Sequence, residues 1–346
     1  MMKKLINDPF QVTTELVEGF VLANKDKVRQ LEGINVVMRN DVPRKGKVGI
    51  VIGGGSGHEP LFLEFIGKGM GDCSVHGNIF ASPSADIICD GIKASDSGSG
   101  VILIYGNYMG DIINFDMAQD MARCDGIRVE TVRVWDDVAS APPDQKDERR
   151  GTAADLFVIK IAGAVAEQGL PFEEVLRIAE KARDNCRSIG VALSSCTLPA
   201  VGKPIFEIAD DDMMVGMGLH GEPGIQKVKL LSADETTKIM ADVLMGDDLD
   251  LQKGDEIAVI VNGYGSTTRM EMFIINRRFH QLMASKSISI YGTYLGNFCT
   301  SQEMAGLSIT IMKLDDELKK YYDDPAQSYS FTVSGEKYWI LLLFHK

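Results

Sequence analysis

Two histidines lie in glycine-rich segments that would bring a reactive imidazole close to a small ligand. His58 occurs in Gly-Gly-Gly-Ser-Gly-His-Glu-Pro at residues 53–60, and His220 occurs in Gly-Met-Gly-Leu-His-Gly-Glu-Pro-Gly at residues 216–224. An imidazole is the commonest general base near neutral pH and can itself be a nucleophile. Either histidine alone is also explained as a hydrogen-bonded loop residue. Two of them in different halves of the chain predict a cleft site between two domains.

The segment around His58 follows a predicted strand over residues 47–52 and precedes a predicted helix over residues 59–67. Free backbone N–H groups at a helix N-terminus favour oxygen-rich or anionic ligands. The segment fits neither common nucleotide loop: the chain has no Gly-Lys-Ser/Thr triplet, and a Gly-x-Gly-x-x-Gly pattern would need glycine at position 58. A loop that presents His58 beside backbone donors therefore remains, with a tight turn and a surface histidine as the alternative.

Asp111 is the third candidate for chemistry. It follows a predicted strand over residues 101–105 and precedes a predicted helix over residues 112–123. In open parallel sheets, ligands bind at the carboxyl ends of the strands, so Asp111 and His58 are expected to face the same crevice. A carboxylate there would take the proton from a substrate hydroxyl. An ordinary helix cap is the competing interpretation of this aspartate.

The remaining histidines and the acidic runs are interpreted as structural. His76 is expected in a loop, with a structural role favoured over a place in the cleft; His280 is expected on a helix surface, and His345 lies near the terminus. The aspartates at 210–212 and 247–250 lack the twelve-residue calcium-loop pattern, so solvated turns are expected there and no metal site is predicted.

Short β-branched runs alternate with longer amphipathic stretches along the chain, which predicts an α/β protein with mainly parallel or mixed sheets. Two consecutive helices before about residue 190 suggest a boundary, so we place the domains at 1–190 and 191–346, with the site in the cleft between them. Strands are predicted at 34–39, 47–52, 101–105, 128–134, 189–193, 256–261, 287–291, 308–314 and 337–344, and helices at 9–24, 59–67, 84–94, 112–123, 152–169, 172–188, 233–244 and 269–284.

The composition excludes several classes of protein. The net charge of −13 argues against nucleic-acid binding and against anionic membrane surfaces. No apolar run approaches the roughly 20 residues that span a bilayer, and no signal peptide is visible. Six scattered cysteines without a Cys-x-x-Cys pair predict reduced, mostly buried thiols in a cytoplasmic protein.

The sequence resembles the dihydroxyacetone kinase family, in its substrate-binding subunit or N-terminal kinase domain. The likeness covers essentially the whole chain and is carried by the segments 2–8, 53–60, 107–115, 149–151, 188–193, 196–204, 216–224 and 294–310. It implies a ketose held as a hemiaminal on His220, with His58 assisting proton transfer. It further implies that Asp111 is the base for the hydroxyl to be phosphorylated, and that Gly55, Ser56 and Gly57 contact the substrate through their backbone.

Gly106 departs from the family pattern, because dihydroxyacetone-specific members usually carry lysine five residues before the aspartate. The loss of a lysine removes a substrate-contacting cation and opens volume. We therefore expect a small ketose, either dihydroxyacetone or a four-carbon sugar such as erythrulose.

The resemblance also implies partners. With both α/β domains accounted for, no part of the 346 residues is left for the helical nucleotide domain, so no cofactor is expected on this chain. A separate helical subunit is expected to bind Mg-ATP or Mg-ADP. If it binds Mg-ADP, a phosphoenolpyruvate-dependent phosphocarrier would phosphorylate the bound ADP again after each transfer. The family also implies a homodimer. The alternative function is a ketose-sensing paralogue that acts as a transcriptional co-activator; an unrelated sugar-phosphate isomerase is a third, weaker alternative.

Overall fold

A computed structural model describes residues 3–335. The first sheet has six strands in the order β1-β2-β4-β3-β5-β6, and β4, β3, β5 and β6 run parallel to one another. β1 and β2 join antiparallel at one edge. The strands are β1 (Val28–Gln30), β2 (Val36–Arg39), β3 (Gly49–Ser56), β4 (Cys73–Ile79), β5 (Val101–Gly106) and β6 (Val129–Val134).

The second sheet is also six-stranded, in the order β11-β10-β12-β7-β8-β9, and among these strands only β10 and β11 are parallel. The prediction of an α/β protein with mixed sheets is confirmed, although parallel pairs do not predominate here. No helical crossover separates β7, β8 and β9, so these strands pair antiparallel. The strands are β7 (Cys186–Ala192), β8 (Asp212–Val215), β9 (Gln226–Lys229), β10 (Glu256–Gly263), β11 (Ser289–Gly296) and β12 (Gly306–Leu314), and a separate small pair is formed by β13 (Ala326–Gln327) and β14 (Thr332–Val333).

Seven of the eight predicted helices are confirmed to within a few residues. The helices are α1 (Val12–Asn24), α2 (Ala85–Ser95), α3 (Met109–Cys124), α4 (Ala154–Glu167), α5 (Phe172–Asp184), α6 (Ala233–Met245), α7 (Arg269–Ser285) and α8 (Asp316–Asp323). The helix predicted over 59–67 is wrong, since only a 3-10 turn at Leu63–Phe65 forms there. This segment contains Pro60, which has no N–H, and buries its apolar side chains irregularly instead of along one face.

Helix α4 joins the two halves of the molecule. It contacts β3, β5 and β6 of the first sheet and β7 and β12 of the second. All residues from 154 to 166 are buried, which explains why this stretch is apolar on every side. Asp155 and Lys160 are the two charged side chains in this buried stretch.

The predicted division between residues 190 and 191 falls inside β7, which belongs to the second sheet; where one domain ends and the next begins stays a prediction. The strand predicted at 337–344 and His345 lie outside the described residues. Within residues 3–335, no helix has both the length and the apolar character required to cross a bilayer. All six cysteines are free thiols, and all except Cys124 are buried.

Candidate active site

A cavity of about 550 Å³ lies between the two halves of the molecule and brings together His58, Asp111 and His220. Gly55 and Gly106 also line it. Ser56 and Gly57 lie behind the wall: the Ser56 hydroxyl donates to the Gly77 carbonyl at 2.9 Å, and neither residue borders the cavity. The remaining lining residues are Gly54, Leu61, Phe62, Phe80, Ala81, Ser82, Tyr108, Met109, Gly110, Asn114, Gly151, Asp155, Leu219 and Cys299.

The two histidines face each other through their Nε2 atoms, which are 3.0 Å apart. The His58 Nδ1–H donates to the Thr300 carbonyl at 2.7 Å, and the His220 Nδ1–H donates to a Glu222 carboxylate oxygen at 3.1 Å. Since each ring uses its Nδ1–H in this way, two neutral rings would point the lone pairs of their Nε2 atoms at each other across 3.0 Å. One proton between the Nε2 atoms removes that repulsion, and the Glu222 carboxylate balances the charge of the resulting cation.

Aromatic rings enclose the histidine pair. Phe80 stacks on His58 with ring centroids 4.8 Å apart, and Tyr108 meets His220 edge-on at 4.7 Å. Phe80 has a φ of +57°, a strained conformation for a side chain of this size. Burial lowers the pKa of His58 to about 3, with the charge of His220 acting in the same direction. His58 is therefore suited to accept a proton briefly and return it.

Glu222 orients His220 by two bonds, because its second carboxylate oxygen accepts from the His220 backbone N–H at 2.9 Å. Burial opposes its charge, but the bond to His220 and the nearby Arg150 outweigh that effect and lower the pKa of Glu222 to about 2. Two glycines within residues 216–224 allow Glu222 and His220 to adopt this arrangement. A Cβ at Gly218 would collide with the Glu222 carboxylate, and Gly221 has a φ of +83°.

Asp111 is the third residue of α3 and lies inside its first turn, whereas the N-cap position is Tyr108. The interpretation of Asp111 as a helix cap is therefore wrong, because α3 begins at Met109, three residues earlier than the sequence predicts. Its Oδ1 is buried and has no hydrogen-bond partner. Burial raises the pKa of Asp111 to about 6, against the opposing effects of the Ser82 hydroxyl and of His220. Such a carboxyl accepts a proton readily near neutral pH.

The glycine-rich segment near His58 is a strand and a bend. β3 continues to Ser56, and the Gly57 N–H is bound by the Glu59 carboxylate at 2.9 Å. The expected array of free N–H groups at a helix N-terminus is therefore absent from this segment. A Cβ at Gly54 would lie 2.7 Å from the Phe62 ring, which explains a glycine there. His58 is still placed beside the cavity, by bonds to the backbone of Thr300 in the connection between β11 and β12.

The acidic run near residue 247 has a structural role, and the expected solvated turn is wrong for Asp247. Its carboxylate binds the buried Arg149 at 2.6 Å and Arg187 at 2.7 Å. The Asn107 side chain donates to the Arg149 carbonyl at 2.7 Å. The ion pairs thus hold the bend that follows Gly106. An isolated buried guanidinium group is strongly disfavoured, so the buried Arg149 and Arg187 need a carboxylate beside them. Asp247 supplies it, and is therefore buried itself.

His76 is part of β4, which corrects its expected place in a loop. It is buried, bonds the Ser74 hydroxyl at 2.7 Å through Nε2, and does not border the cavity. His280 is exposed on α7, as predicted. No cluster of three or more His, Cys, Asp or Glu side chains between residues 3 and 335 is arranged to hold a metal ion.

Sequence reasoning did not single out four side chains of the site: Phe80, Tyr108, Asp155 and Glu222. Glu222 was detectable, since a carboxylate two residues after a candidate nucleophile is within reach of its ring. Asp155 also carried a signal, because it interrupts an otherwise apolar helix. Phe80 and Tyr108 carried none, since aromatic residues within a few positions of asparagine are common in ordinary turns.

Residues 18–330 match the Dak1 domain. The chain belongs to this family. It is 44% identical over 336 residues to the dihydroxyacetone-binding subunit DhaK of PTS-dependent dihydroxyacetone kinase 2 from Listeria innocua, covering 96% of this chain and 100% of that protein. It is also 41% identical to the L-erythrulose kinase of Pectobacterium atrosepticum, covering 95% of this chain and 56% of that protein.

Two solved structures share the Dak1 fold along the chain. The dihydroxyacetone kinase of C. freundii, solved with AMP-PNP and Mg²⁺, has a TM-score of 0.87 and 32% identity, covering 100% of this chain and 64% of that chain. The dihydroxyacetone kinase operon co-activator Dha-DhaQ also has a TM-score of 0.87, with 28% identity over 92% of this chain and 98% of that chain. The predicted family and the predicted fold class are confirmed.

Proposed function

We propose that this chain is the ketose-binding subunit of a two-component kinase, and that it holds a small ketose as a hemiaminal on His220. The observation that carries the proposal is the pair of Nε2 atoms 3.0 Å apart in a cavity that also contains Asp111. A nucleophile, a proton carrier and a base for a neighbouring hydroxyl are the groups that this reaction requires.

The addition step balances with the groups present. His58 Nε2 takes the shared proton, which frees the Nε2 lone pair of His220. That lone pair forms a bond to the carbonyl carbon, the C=O π electrons move to oxygen, and His58 returns the proton to that oxygen. The alkylated His220 ring remains a cation, and its Nδ1–H stays paired with the Glu222 carboxylate. Covalent attachment compensates for the few contacts that a molecule this small can make.

Phosphoryl transfer then uses Asp111. Once a hydroxyl of the anchored ketose lies beside this carboxylate, Asp111 accepts its proton as the oxygen attacks the phosphoryl group. General base catalysis is most effective when the pKa of the base lies near the operating pH, and the raised pKa of Asp111 brings this carboxyl closer to it. Most of the remaining rate enhancement in phosphoryl transfer comes from positioning and from stabilisation of charge.

The nucleotide is placed on a separate helical subunit that carries Mg-ATP, or Mg-ADP recharged by a phosphoenolpyruvate-dependent phosphocarrier. This placement is supported by the C. freundii kinase, which binds AMP-PNP and Mg²⁺ and extends beyond the part that this chain covers. An apolar stripe on α3 offers a docking surface beside the cavity. Its residues are spaced four apart and exposed: Met109, Ile113, Met117 and Met121.

The substrate class is a three- or four-carbon ketose. Gly106 borders the cavity, and the atoms nearest to a Cβ at that position would be those of the Tyr108 ring and the Asp155 carboxyl, at 3.3–3.4 Å. The space left by this glycine accommodates a sugar longer than dihydroxyacetone. The relatives named for dihydroxyacetone and for L-erythrulose support the same range.

A ketose-sensing co-activator is the second candidate, and the fold likeness to Dha-DhaQ favours it. Asp111 distinguishes the two functions, because a sensor has no use for a base beside a substrate hydroxyl. A sensor would form the His220 adduct without any turnover in the presence of a nucleotide-binding subunit.

Intact-mass measurement and ¹³C NMR of the ketose carbonyl carbon test the anchor directly. The wild-type protein should convert the ketone resonance of bound dihydroxyacetone to that of a tetrahedral carbon, and His220→Ala should not. An unchanged adduct in that variant rejects His220 as the nucleophile. Asp111→Asn should keep the adduct and lose turnover with the partner subunit; full turnover would reject Asp111 as the base.

A further inference from the structure

Asp155 is a buried carboxyl without a partner on the wall of the cavity. Its side chain is 2% exposed, Oδ1 is shielded from solvent and makes no hydrogen bond, and no side-chain bond of Asp155 is formed within residues 3–335. It borders the same cavity as His220 and Asp111. Buried polar groups are nearly always satisfied in native proteins, so a carboxyl without a side-chain bond at a cavity wall points to a ligand that binds its other oxygen, Oδ2, on the side of Gly106.

The neighbouring donors are already committed. Asp136 occupies the N-terminus of α4, where it accepts from the Thr152 N–H at 2.7 Å and from the Ala154 N–H at 3.2 Å. Arg150 pairs with Asp137 at 2.8 Å. The α4 dipole and the Arg150 guanidinium group therefore stabilise other carboxylates, and no cation within residues 3–335 pairs with Asp155.

Asp155 is consequently suited to hydrogen bonding as a neutral acid. Burial, and then the carboxylates of Asp136 and Asp111, raise its pKa well above the ordinary value. A protonated carboxyl donates one hydrogen bond and accepts others. A hydroxyl group also donates one hydrogen bond and accepts others, so it can pair with both the donor and the acceptor of this carboxyl.

Gly106 leaves room for such a hydroxyl. A Cβ built at this glycine would lie 3.4 Å from Asp155 Oδ2, so the carboxyl faces the place where a side chain would otherwise stand. Both residues border the cavity. The space between them is therefore continuous with the space between His220 and Asp111.

We propose that Asp155 is a specificity-determining residue that binds the hydroxyl group which a four-carbon ketose has and dihydroxyacetone lacks, in the space beside Gly106. The inference rests on the proposed function, because it needs the ketose anchored at His220. Asp155 touches the substrate but not the reacting atoms, so it governs which sugar is held and leaves the chemistry of addition to the histidine pair.

Binding measurements with dihydroxyacetone, D-erythrulose and L-erythrulose test the proposal. Asp155→Ala should weaken the binding of at least one erythrulose enantiomer about tenfold or more and change that of dihydroxyacetone less than about twofold, because only the longer sugar loses a hydrogen bond. Asp155→Asn keeps a donor and an acceptor and should bind erythrulose nearly as well as the wild type. Gly106→Ala narrows the same space from the other side and should also weaken erythrulose binding selectively.

The outcomes separate this inference from the proposed function. Equal losses for both sugars in Asp155→Ala, no loss for either, or a wild-type protein that binds dihydroxyacetone alone would overturn the role of Asp155. A wild-type protein that forms no adduct with any of the three ketoses would overturn the proposed function itself. If Asp155→Ala does not fold, as judged by circular dichroism, Asp155→Asn and Gly106→Ala decide the question.

Discussion

Glu222→Gln should weaken the ketose adduct about tenfold while it preserves the shape of the site. The carboxylate lies 3.1 Å from His220 Nδ1, and its pKa is lowered from 4.5 to about 2. That difference corresponds to about 3 kcal/mol, at 1.36 kcal/mol for each pKa unit. Arg150 and the backbone supply part of this effect, and solvent screens the rest because the Glu222 side chain is 31% exposed. In the free protein the positive charge is shared with His58, whereas in the adduct it lies wholly on His220, so about 1.5 kcal/mol of the interaction favours the adduct, which is roughly tenfold in affinity.

Calorimetric titration with dihydroxyacetone at pH 7.5, supported by ¹³C NMR of the bound carbonyl carbon, measures this effect. Glu173→Gln is the matched control, because it removes the same charge from an exposed ion pair with Arg128, and neither residue borders the cavity. It should leave the affinity unchanged. If Glu222→Gln binds within about twofold of the wild type, the adduct is not a cation stabilised by this carboxylate, and the proton assignment of the histidine pair is wrong.

Three further predictions concern Asp111, the α3 stripe and Asp155. Turnover should fall as the pH drops below about 6, because the raised pKa of Asp111 leaves the base protonated there, and Asp111→Asn should lower kcat about 100-fold or more with ketose affinity retained. Met117→Glu should weaken docking of the nucleotide subunit, seen as a raised half-saturating subunit concentration, whereas Met270→Glu, at a still more exposed methionine on α7, should not. Asp155→Ala should raise the free energy of unfolding by about 1 kcal/mol in urea titrations, because an unsatisfied buried carboxyl is removed; a loss of stability would show that Asp155 is satisfied in the folded protein.

Much of the fold could be predicted because its elements have strong local patterns. The parallel strands β3 and β5 are continuous apolar runs, and helices such as α5 carry a clear apolar face. β4 was missed because Ser74, His76 and Gly77 interrupt its pattern, although each is buried by its neighbours. The pairing of the second sheet depends on contacts between distant strands, which no local pattern encodes.

The candidate site could be predicted in part for a related reason. Glycines around His58 and His220 marked both as accessible, and a crevice at strand ends placed Asp111 near them. Which ring nitrogens face each other depends on the Thr300 carbonyl and the Glu222 carboxylate, one of which is a backbone group on the opposite half of the molecule. Backbone acceptors leave no trace in residue identity, so the proton arrangement follows only from the folded geometry.

The histidine pair depends on contacts between the two halves of the molecule. His58 and Thr300 are joined twice, by the ring Nδ1–H to the Thr300 carbonyl at 2.7 Å and by the Thr300 N–H to the His58 carbonyl at 3.1 Å. Both bonds use the backbone of residue 300, so no substitution of its side chain other than proline removes either of them. His220 belongs to the same half as Thr300, and the 3.0 Å gap between the Nε2 atoms therefore exists only while the segment that follows β3 and the segment that contains Thr300 remain packed together. Formation of the ketose adduct and integrity of this interface should consequently be lost at the same denaturant concentration, because the reactive pair is divided between the two halves that the interface joins.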